Sequence, residues 1–258
     1  MNGTELTNKF DELLDITRTS FATFLDATQE ALRAARPCVL AIDEDKADAG
    51  QLALDMATFA AAPVVAVPKH CEFAPLIENG HRFLLAEGGL YLEARRPWLH
   101  LIHRIAERPA SVRIPYGAVE AKSEFSFGRL GTALPQMKEF ATHAMVESPI
   151  EAAASLLWNH VTNEWSLKYP EVIGEATAGS IQYKQVDVGA DESLVLDLHS
   201  HGALHAFFSA TDDIDDSGSV KISGVFGSLD KDVQTVAFRL CVLGVYLPIS
   251  VPADKIFG

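Results

Sequence analysis

A mixed α/β (α+β) chain of two modules is expected. An N-terminal α/β module would span residues 1–110. A second, over residues 111–258, would be a mixed β-sheet flanked by helices. Three observations carry this. Stretches with apolar residues every three or four positions alternate with short apolar runs of strand length. The 258 residues allow one large domain or two small ones. Hydrophobic residues make up 48% and charged residues 22%, the balance of a chain that buries a core.

The first 36 residues carry Phe10, Leu13, Leu14, Phe21, Phe24, Leu25 and Leu32 at helical steps, and Pro37 closes that helix. Cys38–Ile42 reads as a buried strand, Ala49–Ala61 as a second helix and Pro63–Val67 as another short strand, an order that suits a small parallel unit. It lacks the Gly-rich loop of a nucleotide site. His81–Leu85 and Leu90–Glu93, around Gly88-Gly89, suggest a hairpin with a longer loop. Pro97–Ile105 reads as a short aromatic and basic helix, and residues 111–131 as short strands leading into the second module. There Leu134–Met145 is a helix with Pro135 near its start. Strands are expected at Trp165–Lys168, Ser180–Val188, Leu194–His199, Val220–Phe226 and Thr235–Tyr246, with a short helix starting at Ser209.

Charge and cysteines narrow the function. The net charge of −14 lacks the basic footprint of nucleic-acid binding. No apolar stretch approaches the length of a membrane span. The N-terminus is polar, without a signal-peptide core. The cysteines Cys38, Cys71 and Cys241 are odd in number and widely spaced, as in a reducing compartment. A cytoplasmic location with no direct nucleic-acid or membrane partner is the expectation.

The chemistry lies in His199-Ser-His-Gly-Ala-Leu-His-Ala-Phe-Phe-Ser-Ala-Thr-Asp212. On a strand, residues two apart share a face, so His199 and His201 can bite one cation. Asp212, after a turn, can return a carboxylate. Two imidazoles and a carboxylate are a common catalytic zinc set with one position left for water, whose pKa the metal lowers to about 7. Glu151, in an apolar setting after Pro149, is an attractive general base because burial raises a carboxyl pKa. Ser209 can donate to a developing oxyanion, and Ser-x-x-Asp is equally an ordinary helix N-cap; both roles can coexist.

His199, His201, Ser209 and Asp212 together resemble the signature of the JAB/MPN (JAMM) zinc metalloprotease family: an upstream Glu, then His-x-His, seven residues, Ser, two residues, Asp. The family Glu follows a helix in a Pro-x-Glu context, which Pro149-Ile-Glu151 fits, with Glu147 the nearest rival. Within the family the chain is similar to the PRTRC system protein A group through Pro115-Tyr-Gly117, Asp197–Gly202, Ala206–Asp213, Asp215-Asp216 and Phe238-Arg-Leu240. Phe73–Leu76, Gly80–Phe83 and Arg96-Pro-Trp98 extend this likeness to residues 62–258. The resemblance implies a cytidine-deaminase-like sheet, bound Zn2+, and hydrolysis of a peptide or isopeptide bond by His199, His201, Asp212, Glu151 and Ser209. It also implies a ubiquitin-like protein or peptide as substrate, and a ThiF/E1-like partner in the same cassette.

Other readings stand beside this one. MPN-type domains include non-catalytic scaffolds, usually lacking one or more ligands. Arg95–Arg104, if exposed, suits partner docking; the alternative is an amphipathic helix packed on the core. Asp197 shares the histidines' strand face and is a candidate to orient a ligand, or else a solvated or capping carboxylate. His205 is read as structural or at the rim, His70 and Cys71 as a poor chelate, and His100 and His103 as surface residues. Asp213, Asp215 and Asp216 are a solvated turn or a charge that attracts basic substrates.

Overall fold

The computed structural model describes residues 49–173 and 183–258, with Lys9, Asp15, Arg18, Thr19 and Thr23 as isolated positions. The helix expected in the first 36 residues and the strand at Cys38–Ile42 lie outside the described residues. Helix α1 is Ala49–Ala61, as its pattern predicts. Residues 57–258 form one compact unit, which holds every element below.

Five strands form a first sheet in the order β1-β2-β3-β4-β5: Val64–Ala66, Gly80–Ala86, Gly89–Arg96, Leu99–Glu107 and Lys122–Phe125. Only β1 and β2 run parallel. The β2–β3 loop is just Glu87-Gly88, shorter than the sequence suggested. The expected helix over Pro97–Ile105 is instead the hairpin turn Pro97-Trp98 followed by β4. The apolar residues of this stretch fit a helical stripe locally, but pairing with β3 and β5 satisfies the backbone on both sides and overrides that preference. Trp98 is 1% exposed, so the aromatic centre of Arg95–Arg104 is core and not a docking surface. His100, expected at the surface, is buried. Its Nε2 lies 3.0 Å from the fully buried Glu93 carboxylate, and Arg95 donates to its Nδ1. The expected module boundary at residue 110 falls between β4 and β5, neighbours in this sheet.

The second sheet has the order β11-β10-β9-β8-β6-β7. Its strands are β6 Ala153–Asn159, β7 Glu164–Lys168, β8 Glu192–Ser200, β9 Val220–Gly227, β10 Thr235–Val242 and β11 Val245–Ile249. The expected single strand over Thr235–Tyr246 breaks at Leu243-Gly244. Both residues take positive φ (53° and 85°), which reverses the chain in a two-residue turn. The strand expected at Ser180–Val188 lies partly outside the described residues. From Tyr183 on it makes only an isolated bridge, to Val172.

Helix α2, Leu134–Glu147, buries Met137, Phe140, Ala141 and Ala144, and Phe140 meets Phe226 of β9 edge-on at 5.0 Å. Helix α3 is Ala210–Asp216 and α4 is Ala253–Phe257. Phe127 links the sheets: it stacks on Phe125, 5.1 Å away, and meets Trp165 edge-on at 5.0 Å. One core holds Leu92, Trp98 and Leu101 of the first sheet with Leu156, Leu196 and Phe226 of the second. The fold class is therefore mixed α/β, with two mixed sheets and few helices.

Strand alternation sorts the second sheet into two faces. Leu196 and Leu198 of β8, Ile222 and Phe226 of β9, and Phe238 and Leu240 of β10 face the core. Asp197, His199, Lys221, Ser223, Arg239 and Cys241 take the other face, where α3 packs. β8 and β9 pair in parallel, so a crossover must join them. That crossover is residues 201–219, and it leaves β8 at the carboxyl end where open sheets place their sites.

Candidate metal centre

His199 ends the polar face of β8, and His201 follows immediately. The His201 amide donates to the Phe226 carbonyl of β9 at 2.8 Å, and Leu204 N–H returns to the His201 carbonyl, which turns the chain. Gly202 makes this possible. Its φ is +51°, and a Cβ there would lie 2.6 Å from the Pro149 carbonyl oxygen. Gly202→Ala is expected to destabilise the chain by about 1–3 kcal/mol through left-handed strain and this clash. Thermal unfolding of the metal-free protein checks this, and an unchanged melting temperature contradicts it.

Asp212 arrives on α3. Ser209 is the N-cap: its Oγ accepts from Asp212 N–H at 3.2 Å, while Asp212 Oδ2 accepts from Ser209 N–H at 2.6 Å. This reciprocal capping box occupies one carboxylate oxygen and turns the other, Oδ1, to within 3.3 Å of His199 Nε2. The cap uses Ser209 as acceptor, so the hydroxyl proton stays free to donate. The capping role is the one the contacts show.

The Nε2 atoms of His199 and His201 are 3.2 Å apart. The three donor atoms all lie within 4.8 Å of one another. A tetrahedral zinc with bonds of about 2.0–2.1 Å places its donors about 3.3 Å apart, so the set fits such an ion. Burial lowers the pKa of His199, against the pull of Asp212 and Asp197. Burial, and then the neighbouring His199, lowers that of His201. Neutral rings offer lone pairs, as metal ligands must.

Glu151 lies beside this set for a readable reason. β6 runs antiparallel to β8 with Ala153 opposite His199, so the register carried two residues further puts Glu151 opposite His201. Ser200 locks the alignment: its N–H donates to the Ala152 carbonyl and its Oγ accepts from Ala152 N–H, both at 2.9 Å. Glu151 is 8% exposed, and burial first, then the Asp212 charge, raises its pKa to about 7. Glu147, the rival, sits exposed at the end of α2.

The raised pKa has a sign that can be tested without metal. The folded chain holds the Glu151 proton more tightly than the unfolded chain does. Below about pH 4.5 both states are protonated and nothing is lost; as pH climbs through 7 the fold must carry a buried carboxylate. Metal-free Glu151→Gln is therefore expected to gain on the parent by roughly 2 kcal/mol at pH 8 and by nothing at pH 4. Urea unfolding in EDTA at both pH values checks this; equal stability at pH 8 contradicts it.

Several side chains differ from expectation. Asp197 is half-buried and is not bonded to a histidine. It accepts from Lys221 Nζ at 2.6 Å and from the Tyr183 hydroxyl at 3.2 Å. Asp216 is not in a solvated turn: it is 4% exposed and bound to Lys221 and Arg239. His205 is exposed, in keeping with the rim position expected for it, its Nδ1 2.8 Å from the Ala206 carbonyl oxygen. The sequence assigned no role to Lys221, Arg239 or Tyr183. Apart from the Lys221–Asp216 pair, their partners lie 14 to 26 residues away on other elements, a spacing with no local signature.

The C-terminal region is similar to a known domain family. Residues 134–241, from α2 through β10, match the family described as prokaryotic homologs of the JAB domain. Residues 52–126 match a domain of unknown function, DUF2016. No curated protein matches the chain. Among the described residues, no helix is long and apolar enough to cross a membrane.

Proposed function

We propose that the chain is a zinc-dependent metallopeptidase or isopeptidase of JAMM type. The observation that carries this reading is the convergence of His199, His201 and Asp212 beside a buried carboxyl group whose pKa lies near 7. A divalent cation held by the three donors supplies a more acidic water and a polarised carbonyl. Glu151 takes a proton from the attacking water and returns it to the leaving amine as the C–N bond breaks; a pKa near the working pH suits both transfers. Ser209 donates a hydrogen bond from its hydroxyl to the tetrahedral oxyanion.

A cavity of about 600 Å³ opens on the same polar face of the sheet, lined in part by Thr211 and Asp215 of α3, by Asp197, and by Tyr183, Gln185 and Val186; the proposed metal ligands and Glu151 are not part of its lining. Asp213 and Asp215 are exposed on α3, and the chain carries −14 overall, a field that draws in a basic segment. The C-terminal tail of a ubiquitin-like protein is the substrate this reading favours, with a ThiF/E1-like enzyme as the activating partner in a PRTRC-type cassette and the cytoplasm as the compartment.

The test is to load the protein with zinc and challenge it with a panel of peptide- and isopeptide-linked ubiquitin-like fusions. Cleavage that stops with chelator and returns with zinc is the expected result. A zinc-loaded protein that cleaves none of them, while still binding a ubiquitin-like protein, overturns catalysis in favour of a scaffold.

A further inference from the structure

Helix α3 is held to the sheet the wrong way round for an amphipathic helix. Its apolar residue Ile214 is 73% exposed, and its buried side chain is Asp216. Seven residues are too few for a helix that stands alone, so tertiary contacts must fix it. Asp212 and Asp216 lie four apart, on one helical face. Whatever holds Asp216 therefore also sets where Asp212 presents its carboxylate.

That hold is a charge clamp centred on Arg239 of β10. Its Nε and Nη2 donate to Asp216 Oδ2 at 3.1 and 2.7 Å, and its Nη1 donates to Asp213 Oδ1 at 2.5 Å. The guanidinium lies between two rings, 3.9 Å from the Phe208 centroid and 4.1 Å from that of Tyr246. Phe208 immediately precedes the Ser209 cap. The Tyr246 hydroxyl donates to the Asp213 carbonyl at 2.6 Å. Arg239 thus grips the chain on both sides of the Ser209–Asp212 capping box. Lys221 completes the frame: its Nζ is 2.9 Å from Asp216 Oδ1 and 2.6 Å from Asp197 Oδ2. Since Asp197 is two residues before His199, one network fixes both the histidine strand and the aspartate helix.

From this geometry we infer that Arg239 is a positioning residue for the metal ligand Asp212, acting through Asp216 and Asp213 and touching neither cation nor substrate. The inference rests on the metal-centre reading. A planar fork suits this place, because one side chain must serve two carboxylates and also lie flat between two rings; a lysine ammonium can bridge two carboxylates, as Lys221 does, but has no flat face to stack.

The experiment measures zinc affinity by chelator competition, together with amide exchange of α3 in the metal-free protein. It compares the parent with Arg239→Gln, Arg239→Lys, Asp213→Asn and Asp216→Asn, and with Val242→Ala as control. Val242 is a fully buried core residue of the same strand. Its truncation lowers stability without touching the clamp. Arg239→Gln is expected to weaken zinc by about 10–100-fold, the range for groups that orient a ligand. Arg239→Lys should fall between Gln and parent, and Val242→Ala within twofold of parent. The double variant Asp216→Asn/Arg239→Gln should lose less than the product of the single losses, because the two residues act as one unit. Exchange at the Asp213–Asp216 amides should speed up in Arg239→Gln and not in Val242→Ala.

A folded Arg239→Gln with parental zinc affinity and unchanged α3 exchange overturns the inference. So does a Val242→Ala variant that weakens zinc as much. If Arg239→Gln does not fold, Arg239→Lys and the half-exposed Asp213→Asn decide by the same two readouts. A parent that takes up no zinc defeats the metal-centre reading alone, and the exchange rates still decide whether Arg239 holds α3.

Discussion

Glu151→Gln is expected to bind zinc like the parent and to lose hydrolysis by about 10²–10⁴-fold, the usual worth of a positioned acid–base group. The substitution keeps size and shape, and Ala152 beside it stays locked by Ser200. What disappears is a group able to accept and then give up a proton near neutral pH. Glu151 has that property because burial destabilises its charged form and the Asp212 carboxylate repels it. The parent's rate should rise with pH as Glu151 loses its proton, at a lower pH than in the metal-free chain because the bound cation favours the carboxylate; Glu151→Gln should show no such limb. Assays of zinc-loaded protein from pH 5 to 9 check both expectations. If loaded Glu151→Gln cleaves as fast as the parent, the base lies elsewhere, and Glu147→Gln becomes the next variant to assay.

The second large effect separates the two duties of Asp212. Asp212→Asn keeps an oxygen to accept from Ser209 N–H, so the N-cap of α3 survives. It removes the charged Oδ1 facing His199, and zinc affinity should fall by at least about 100-fold, more than is lost when only a supporting group is removed. Asp212→Ala loses the ligand and the cap together. It should match Asp212→Asn in zinc affinity and melt lower without metal, by roughly 0.5–2 kcal/mol. His201→Ala should abolish tight zinc binding with no cost to the cap. Chelator competition and metal-free melting curves for these variants give the pattern. Equal zinc affinity for parent and Asp212→Asn would mean that the carboxylate is only a cap.

The donor set was legible because its geometry is local. His199 and His201 share a face through strand alternation alone, and Ser209-x-x-Asp212 marks its own helix start. Glu151 was readable as a buried carboxyl group, but its place opposite His201 depends on the β6–β8 register, set by pairing across 46 residues of chain from Ala153 to His199. The clamp at Arg239 was not readable at all. An acidic run such as Asp212–Asp216 looks solvated until a guanidinium from a distant strand is brought under it. Pro97–Ile105 failed for a related reason: Leu99 and Ile102 fit a helical stripe, and only the neighbouring strands decide that the segment is extended.

The most direct test of the central claim is X-ray absorption at the zinc edge on protein loaded with one equivalent of metal. Two imidazole nitrogens at about 2.0–2.1 Å, with oxygen donors completing four-coordination, are expected, and this signature should vanish in His199→Ala/His201→Ala. A parent that retains no zinc after desalting, or a double variant that gives the same spectrum, would contradict it.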